Sequence, residues 1–247
     1  MSGRNEQQWD AMLRRLASRD GSVELSRGVG NDDTAIIMYR SRIFAILEDG
    51  CLVVETPQQA VLDRSFRVGD DIDLTLMVNN ERMLATCTLK ETMTHELNAS
   101  LKVTCYKLSP GRRPVREQRR SFYRVNVAAM DLEPTKLRSE IEDTVFECSV
   151  RLVNISAGGI GVSIRAAKNV LKQLKRTRNF QCTAWLSDDE AIEMPVRVAH
   201  ISALGDDGLY LGLKFDFEDE SEAYAHEQTM QQRCTEIQRM QLQRRRA

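Results

Sequence analysis

The sequence predicts a mainly β protein with flanking helices, built as two small antiparallel β-barrels and a long C-terminal helix. Short segments of branched or alternating apolar residues recur along most of the chain. A break rich in proline and glycine divides these segments into two sets, and helical periodicity is confined to the two ends and one short internal stretch. A chain of 247 residues is long enough for two such domains, each with its own core.

The first set of strands follows an amphipathic helix, predicted at residues 6–18. Four apolar residues at spacings i, i+3, i+4 and i+7 share one face of that helix: Trp9, Met12, Leu13 and Leu16. Strands are then predicted at residues 35–38, 43–47, 51–55, 71–78, 82–91 and 100–108. Turn residues such as Asp49-Gly50 and Gly69-Asp70 separate them, as expected of a small antiparallel barrel.

The break lies at residues 109–114 and has the sequence SPGRRP. Beyond it, strands are predicted at residues 123–127, 147–155, 159–164, 180–186, 192–201 and 209–217, with a helix at about 166–175. A last helix is predicted at residues 218–246, where Ala223, Met230 and Ile237 recur every seven residues. That stripe favours a helix packed on its own barrel over a dimeric coiled coil, because it lasts barely two heptads.

Composition narrows the class of protein. The apolar runs are far too short to cross a bilayer, and the first ten residues lack the apolar core of a signal peptide. We therefore expect a cytoplasmic protein without membrane insertion. A net charge of −1 gives no global attraction to nucleic acid, so no DNA partner is expected. The six cysteines form no Cys-x-x-Cys pair and the three histidines show no ligand spacing, so we expect no metal site.

Catalytic motifs are not found in the sequence. It contains no GxSxG, HExxH, Walker or GxGxxG pattern. Its paired acids fall in predicted turns, where carboxylates are usually solvated. We therefore expect a protein that is not an enzyme.

The strongest concentration of charge is an arginine cluster at residues 111–124, with six arginines against one acid. Arginine presents a planar fork of donors that matches phosphate oxygens and also the O6/N7 edge of guanine. Four of these arginines lie where the linker enters the second set of strands: Arg116, Arg119, Arg120 and Arg124. The cluster alone is also compatible with a solvated basic linker.

A second motif follows about thirty residues later in the sequence LVNISAGGIGV, residues 152–162. Asn154 and Ser156 are two apart, so in a strand they face the same way. Both can form hydrogen bonds to a base or a phosphate. Gly158 and Gly159 allow a tight turn and a close approach of backbone to ligand.

Together the two motifs resemble the PilZ family, whose pattern is RxxxR followed by [D/N]xSxxG. Here these are residues 120–124 (RSFYR) and 154–159 (NISAGG), within a resemblance that spans about residues 112–246. The resemblance implies a cyclic di-GMP receptor that needs no cofactor. It implies that Arg119, Arg120 and Arg124 contact phosphates and guanine edges, that Asn154 and Ser156 bond a guanine, and that Gly159 gives it room. Arg116 joins from the linker and Gly158 belongs to the same turn.

The upstream barrel, which lacks both motifs, resembles the N-terminal domain of the flagellar-brake branch of that family. This predicts an N-terminal PilZ-like domain with its leading helix at residues 1–108, an arginine-rich linker at 109–119 and a PilZ domain with the C-terminal helix at 120–247. The implied output is control of motility, biofilm or exopolysaccharide, through a protein partner such as the flagellar motor or the secretion or polysaccharide machinery. The chain is expected to be a monomer or a homodimer.

The position of the arginines predicts a switch. A ligand with two phosphates would neutralise the linker, fold it over the barrel and reorient the two domains. Two alternatives stay open. The protein could bind RNA, although aromatic side chains for base stacking are few, or it could be an interaction module that does not use the motif.

Overall fold

The computed structural model of the chain describes residues 2–18, 21–27, 36–57, 66–78, 81–98, 100–110, 114–116, 121–141, 144–187, 190–205 and 207–244. The chain forms two compact units, residues 1–119 and 120–247. Each unit is mostly β-strand.

The first unit contains a leading helix and seven strands among the described residues. Its elements are α1 (Ser2–Ala17), β1 (Ser22–Arg27), β2 (Ile36–Ile46), β3 (Leu52–Glu55), β4 (Asp71–Val78), β5 (Glu81–Asn98), β6 (Leu101–Leu108) and β7 (Val115–Arg116). Six strands pair in the closed antiparallel order β1–β4–β5–β6–β3–β2, with β2 returning to β1. The short strand β7 adds to β5.

Alternation of side chains builds the core of this ring. Leu25, Ile43 and Leu74 are fully buried, and Trp9 of α1 is also buried. Two polar residues of β4, Asp73 and Thr75, are buried too and find partners on β5. Thr86 Oγ1 donates to Asp73 Oδ1 at 2.8 Å, which removes the cost of burying that carboxylate without a partner.

The described part of the second unit has the same kind of ring and two helices. Its elements are β8 (Val125–Asn126), β9 (Thr135–Ile141), β10 (Thr144–Ser156), β11 (Gly159–Arg165), α2 (Lys168–Arg176), β12 (Asn179–Ser187), β13 (Glu190–Ala203), β14 (Gly208–Phe215) and α3 (Glu220–Arg244). Six strands pair in the closed antiparallel order β9–β10–β11–β14–β13–β12, with β12 returning to β9. Leu137, Ile155, Val162 and Leu211 fill its interior and are fully buried.

Helix α3 is fixed at both ends. Asp219 Oδ1 caps its start by accepting hydrogen bonds from the backbone N–H groups of Ser221 and Glu222, at 2.8 and 2.9 Å. Near its end, Gln241 Nε2 donates to the backbone oxygen of Asn126 at 2.6 Å. Three side chains along the predicted stripe are buried between these points: Met230, Cys234 and Ile237.

The fold class predicted from the sequence is confirmed: the chain is mainly β, with a leading, an internal and a long C-terminal helix. Several details differ. The two strands predicted at residues 35–38 and 43–47 are one strand, β2, in the described part of that segment. Strands β1, β7 and β9 were not predicted, and the strand predicted at 123–127 is reduced to the two residues of β8. The predicted division into domain, linker and domain stays a prediction.

The described residues contain neither a membrane-spanning helix nor a metal-binding cluster. No helix in this part of the chain is long and apolar enough to cross a membrane. No group of three or more His, Cys, Asp or Glu side chains in the same residues is arranged to hold a metal ion.

Candidate functional site

The NxSxxG motif forms a two-residue hairpin turn between β10 and β11. Ser156 and Gly159 pair across the turn, and Ser156 Oγ donates to the backbone oxygen of Gly159 at 3.0 Å. The backbone N–H of Phe215 also donates to the oxygen of Gly158 at 3.3 Å, which ties the turn to the end of β14. Ser156 is buried and fixes the shape of the turn, while its oxygen keeps lone pairs for a ligand.

Both glycines of the turn are required for space. A Cβ on Gly158 would lie 2.8 Å from Cδ2 of Phe122, so the Phe122 ring rests directly on the turn. A Cβ on Gly159 would collide with the backbone oxygen of Leu213. The turn is therefore packed against β14 on one side and against the segment before β8 on the other.

Residues 125–127, which directly follow the last arginine of the cluster, run antiparallel to β10. Val125 pairs with Ile155 and Asn126 pairs with Asn154. The N–H of Val127 extends the pairing by donating to the oxygen of Val153 at 2.9 Å. With Phe122 seated on the turn, this register puts Arg124 beside the Ser156 end of β10. The structure thus brings the last arginine of RxxxR to the NxSxxG turn.

The outward face of β10, β11, β14 and β13 carries a row of residues in register. Asn154 lies opposite Gly161, Gly161 opposite Gly212, and Gly212 opposite His200. Residues directly opposite in an antiparallel pair point to the same face. The two facing glycines leave the middle of this row without side chains.

Tyr210 and His200 cover the bare stretch. A Cβ on Gly161 would collide with the Tyr210 hydroxyl, and one on Gly212 would collide with the His200 ring. The two rings have centroids 5.4 Å apart. Asn154 Nδ2 donates to the Tyr210 hydroxyl oxygen at 2.9 Å, so its amide is held from across β11.

Positive charge lines the same face. Lys214 lies opposite Gly159 and has an exposed side chain. Arg197 lies opposite Lys214 and forms an ion pair with Asp216, Nε to Oδ1, at 3.5 Å. Tyr123, within the RxxxR segment, is 71% exposed. The face can therefore offer cationic groups, one amide, one hydroxyl and exposed aromatic surface to an anionic ligand.

Burial shifts the pKa values of several cysteines and of one histidine in the second unit. Burial raises the pKa of Cys182 to about 12 and the pKa of Cys234 to about 11. These thiols stay protonated at neutral pH and supply no thiolate nucleophile. Burial lowers the pKa of His226, whose ring sits between Phe215 and Phe217 with centroid distances of 4.6 and 4.7 Å.

The structure places five of the eight predicted site residues together. These are Arg124, Asn154, Ser156, Gly158 and Gly159. Arg116 lies in β7, where it pairs with Met83 in the first unit. Arg119 and Arg120 lie outside the described residues.

Sequence reasoning missed the contributions of Tyr210, Gly161 and His200. A partial signal was present: Tyr210 and Gly212 are two apart in a strand and so share a face. What the sequence could not show is that β11 pairs with β10 on one side and β14 on the other.

Comparisons with known proteins give one family match and several similar solved structures. Residues 118–234 match the model of a family described as PilZ domain. YcgR from Escherichia coli, solved in complex with c-di-GMP, has a similar fold, with 18% identity and a TM-score of 0.50; the match covers 95% of this chain and 91% of that one. The MrkH–c-di-GMP complex of K. pneumonia is 14% identical with a TM-score of 0.45, covering 97% of each chain. MotI/DgrA, an inhibitor of motility from Bacillus subtilis, is 17% identical with a TM-score of 0.43, covering 88% of this chain and 95% of that one. A comparison with proteins of curated function finds no match.

Proposed function

On the premise that residues 118–234 are a PilZ domain, we propose that this protein is a receptor for cyclic di-GMP. The observation that carries the proposal is the juxtaposition of Arg124 with the NxSxxG turn. Phe122 packs on Gly158, and the pairing of Val125 with Ile155 sets the register between the two motifs. The fold shared with YcgR, which was solved with this dinucleotide bound, supports the same ligand.

The chemistry of the site suits a guanine dinucleotide. Arg124, with Arg119 and Arg120 just before it in the sequence, supplies guanidinium forks for phosphates and for the O6/N7 edge of a guanine. Asn154 and Ser156 supply acceptors for the N1–H and N2–H donors of the base. Gly158 and Gly159 let the ring approach the backbone of the turn. Arg116, earlier in the cluster, would add a further cation.

The proposed role is that of a receptor and not of a catalyst. The ligand neutralises an arginine-rich stretch that lies, in sequence, at the boundary between the two compact units. Neutralisation orders that stretch and changes the relative orientation of the units, which alters the surface offered to a protein partner. Control of motility, biofilm or exopolysaccharide through such a partner is the output that we propose, from a chain that stays in the cytoplasm.

Calorimetric titration of the full chain with cyclic di-GMP tests the receptor proposal. We expect binding by the wild type and a loss of at least about 10-fold in Arg124→Ala and Arg120→Ala, since one hydrogen bond to a charged group contributes about 1.5–3 kcal/mol. The matched control is Arg138→Ala on β9, whose side chain is exposed; its affinity should equal that of the wild type. No binding by the wild type, or unchanged titrations for both site variants, would overturn the proposal.

Two further measurements separate the parts of the proposal. A mixed-sequence single-stranded RNA is titrated in parallel; tight binding that weakens steeply with salt would favour the RNA alternative. Small-angle scattering with and without saturating cyclic di-GMP tests the change of orientation. Identical profiles for a chain that binds the dinucleotide would reject the switch and leave the receptor role intact.

A further inference from the structure

Tyr210 reaches a residue of the proposed ligand site from two strands away. Asn154 on β10 donates its Nδ2 to the Tyr210 hydroxyl oxygen at 2.9 Å, across the intervening strand β11. Gly161 makes this span possible, because it lies opposite Asn154 and has no side chain. A Cβ there would collide with the Tyr210 hydroxyl and would lie 2.7 Å from Nδ2 and 2.8 Å from Oδ1 of Asn154.

The contact matters because position 154 carries an amide. A carboxylate at this place would present two equivalent acceptor oxygens, so either orientation of the group would serve. An amide has one acceptor and one donor group, and rotation by 180° exchanges them. The N1–H and N2–H groups of guanine are donors, so only the orientation with Oδ1 toward the ligand is productive.

Tyr210 supports that orientation, because its hydroxyl, which can donate or accept, accepts from Nδ2 here. With Nδ2 engaged by the hydroxyl, Oδ1 is the atom left to accept from a ligand, and no described residue donates a hydrogen bond to it. The tyrosine is itself held in place: its ring lies beside His200, with centroids 5.4 Å apart, and Tyr210 pairs with Ser163 of β11. The partner of the amide is therefore a fixed group on a regular strand.

We infer that Tyr210 is a positioning residue of the nucleotide site, which holds the Asn154 amide by its Nδ2 and so leaves the amide oxygen to the guanine. The inference rests on the proposed cyclic di-GMP function. It assigns to Tyr210 no contact with the ligand; the side chain acts through Asn154. It also gives Gly161 a role, as the position that must lack a side chain for the pair to meet.

The test is calorimetric titration of the full chain with cyclic di-GMP in two backgrounds. In the natural background, Tyr210→Phe removes only the hydroxyl and should weaken binding about 3- to 10-fold, the range for one neutral hydrogen bond. In the Asn154→Ala background the same change should weaken binding less than about 2-fold, because the side chain through which Tyr210 acts is absent. Tyr224→Phe, at a tyrosine 65% exposed on α3, is the matched control and should bind as the wild type does.

Gly161→Ala adds a Cβ between the Asn154 amide and the Tyr210 hydroxyl and so breaks their contact without changing either residue. It should weaken binding at least as much as Tyr210→Phe. Thermal melts of each variant establish that it is folded at the titration temperature. Wild-type affinity in Tyr210→Phe or in Gly161→Ala would overturn the inference. So would an equal loss on Tyr210→Phe in both backgrounds, since that marks an effect that does not pass through the amide. A wild type that fails to bind cyclic di-GMP would instead overturn the proposed function.

Discussion

Replacing Gly158 with alanine tests how residues 121–127 are held against the hairpin turn. The new Cβ would lie 2.8 Å from Cδ2 and 2.9 Å from Cε2 of Phe122. The backbone itself tolerates the change, because the φ angle of Gly158 is not positive. The substitution therefore acts on the Phe122 ring and leaves the turn residues their own conformations.

The magnitude follows from those distances. Nonbonded carbon atoms prefer separations of about 3.5–4.0 Å, so the ring must retreat by roughly 1 Å. Overpacking of this kind typically costs about 1–3 kcal/mol. The free protein relieves the strain by letting Phe122 move off the turn, and Arg124, two residues on, moves with it. Ligand binding must then restore the strained arrangement, so affinity for cyclic di-GMP should fall by about 5- to 150-fold.

Calorimetric titration of four proteins checks this reasoning: the wild type, Gly158→Ala, Phe122→Ala and the double variant. Once Phe122→Ala has removed the ring, the alanine at position 158 has room. Adding Gly158→Ala to that background should change affinity less than about 2-fold. Equal losses in the two backgrounds would refute the contact as the cause, and wild-type affinity in Gly158→Ala would refute the role of the segment.

Two predictions concern stability. Burial lowers the pKa of His226 below the 6.5 of an exposed histidine, so the unfolded chain takes up a proton first and the free energy of unfolding should fall as pH falls below about 6.5. Urea unfolding at about pH 8 and about pH 5 should show a smaller decrease in the free energy of unfolding for His226→Phe than for the wild type. Equal decreases in the two proteins would contradict this assignment. Met230→Ala should lower the free energy of unfolding by about 2–5 kcal/mol, because the Met230 side chain is fully buried on the inner face of α3. Met240→Ala, at a residue 43% exposed on the same helix, should change the free energy of unfolding by less than about 0.5 kcal/mol. Similar losses for the two variants in denaturant unfolding would show that α3 does not pack through Met230.

Local patterns predicted the elements whose partners are near in sequence. The leading helix was predicted from apolar spacing, and its Trp9 and Leu13 are buried as that spacing requires. The hairpin at Gly158 was predicted from a pair of glycines between two apolar runs, and β10 and β11 meet at that turn. In both cases the signal and the structure lie within one short stretch of chain.

Strand β2 shows why other elements were missed. Its middle residues are polar, so the sequence indicated two strands with a gap. In the structure Ser41 Oγ donates to the backbone oxygen of Glu55 at 2.6 Å, and Arg42 bonds the Glu55 carboxylate through two nitrogens, at 2.8 and 2.9 Å. The polar side chains stay in the strand because β3, its neighbour in the ring, supplies their partners. No local pattern encodes such a partner.

In the candidate site, too, the local motifs were predictable from the sequence and the contact between distant residues was not. Each motif was recognisable alone, since Asn154 and Ser156 stand beside their glycines and Arg124 stands among arginines. The hydrogen bond from Asn154 to Tyr210 joins residues 56 positions apart. It exists because β14 pairs with β11, and that pairing is a property of the closed ring.

Helix α3 links the two sides of this site. It follows β14, the strand that carries Tyr210, and its far end holds Asn126, two residues after Arg124, through Gln241. Its 25 residues span about 37 Å at 1.5 Å per residue. The helix therefore connects the strand that carries Tyr210 with the segment that follows Arg124, so a displacement of either is transmitted along one rigid element. The last turns of α3 accordingly help to hold the segment that carries Arg124 in place.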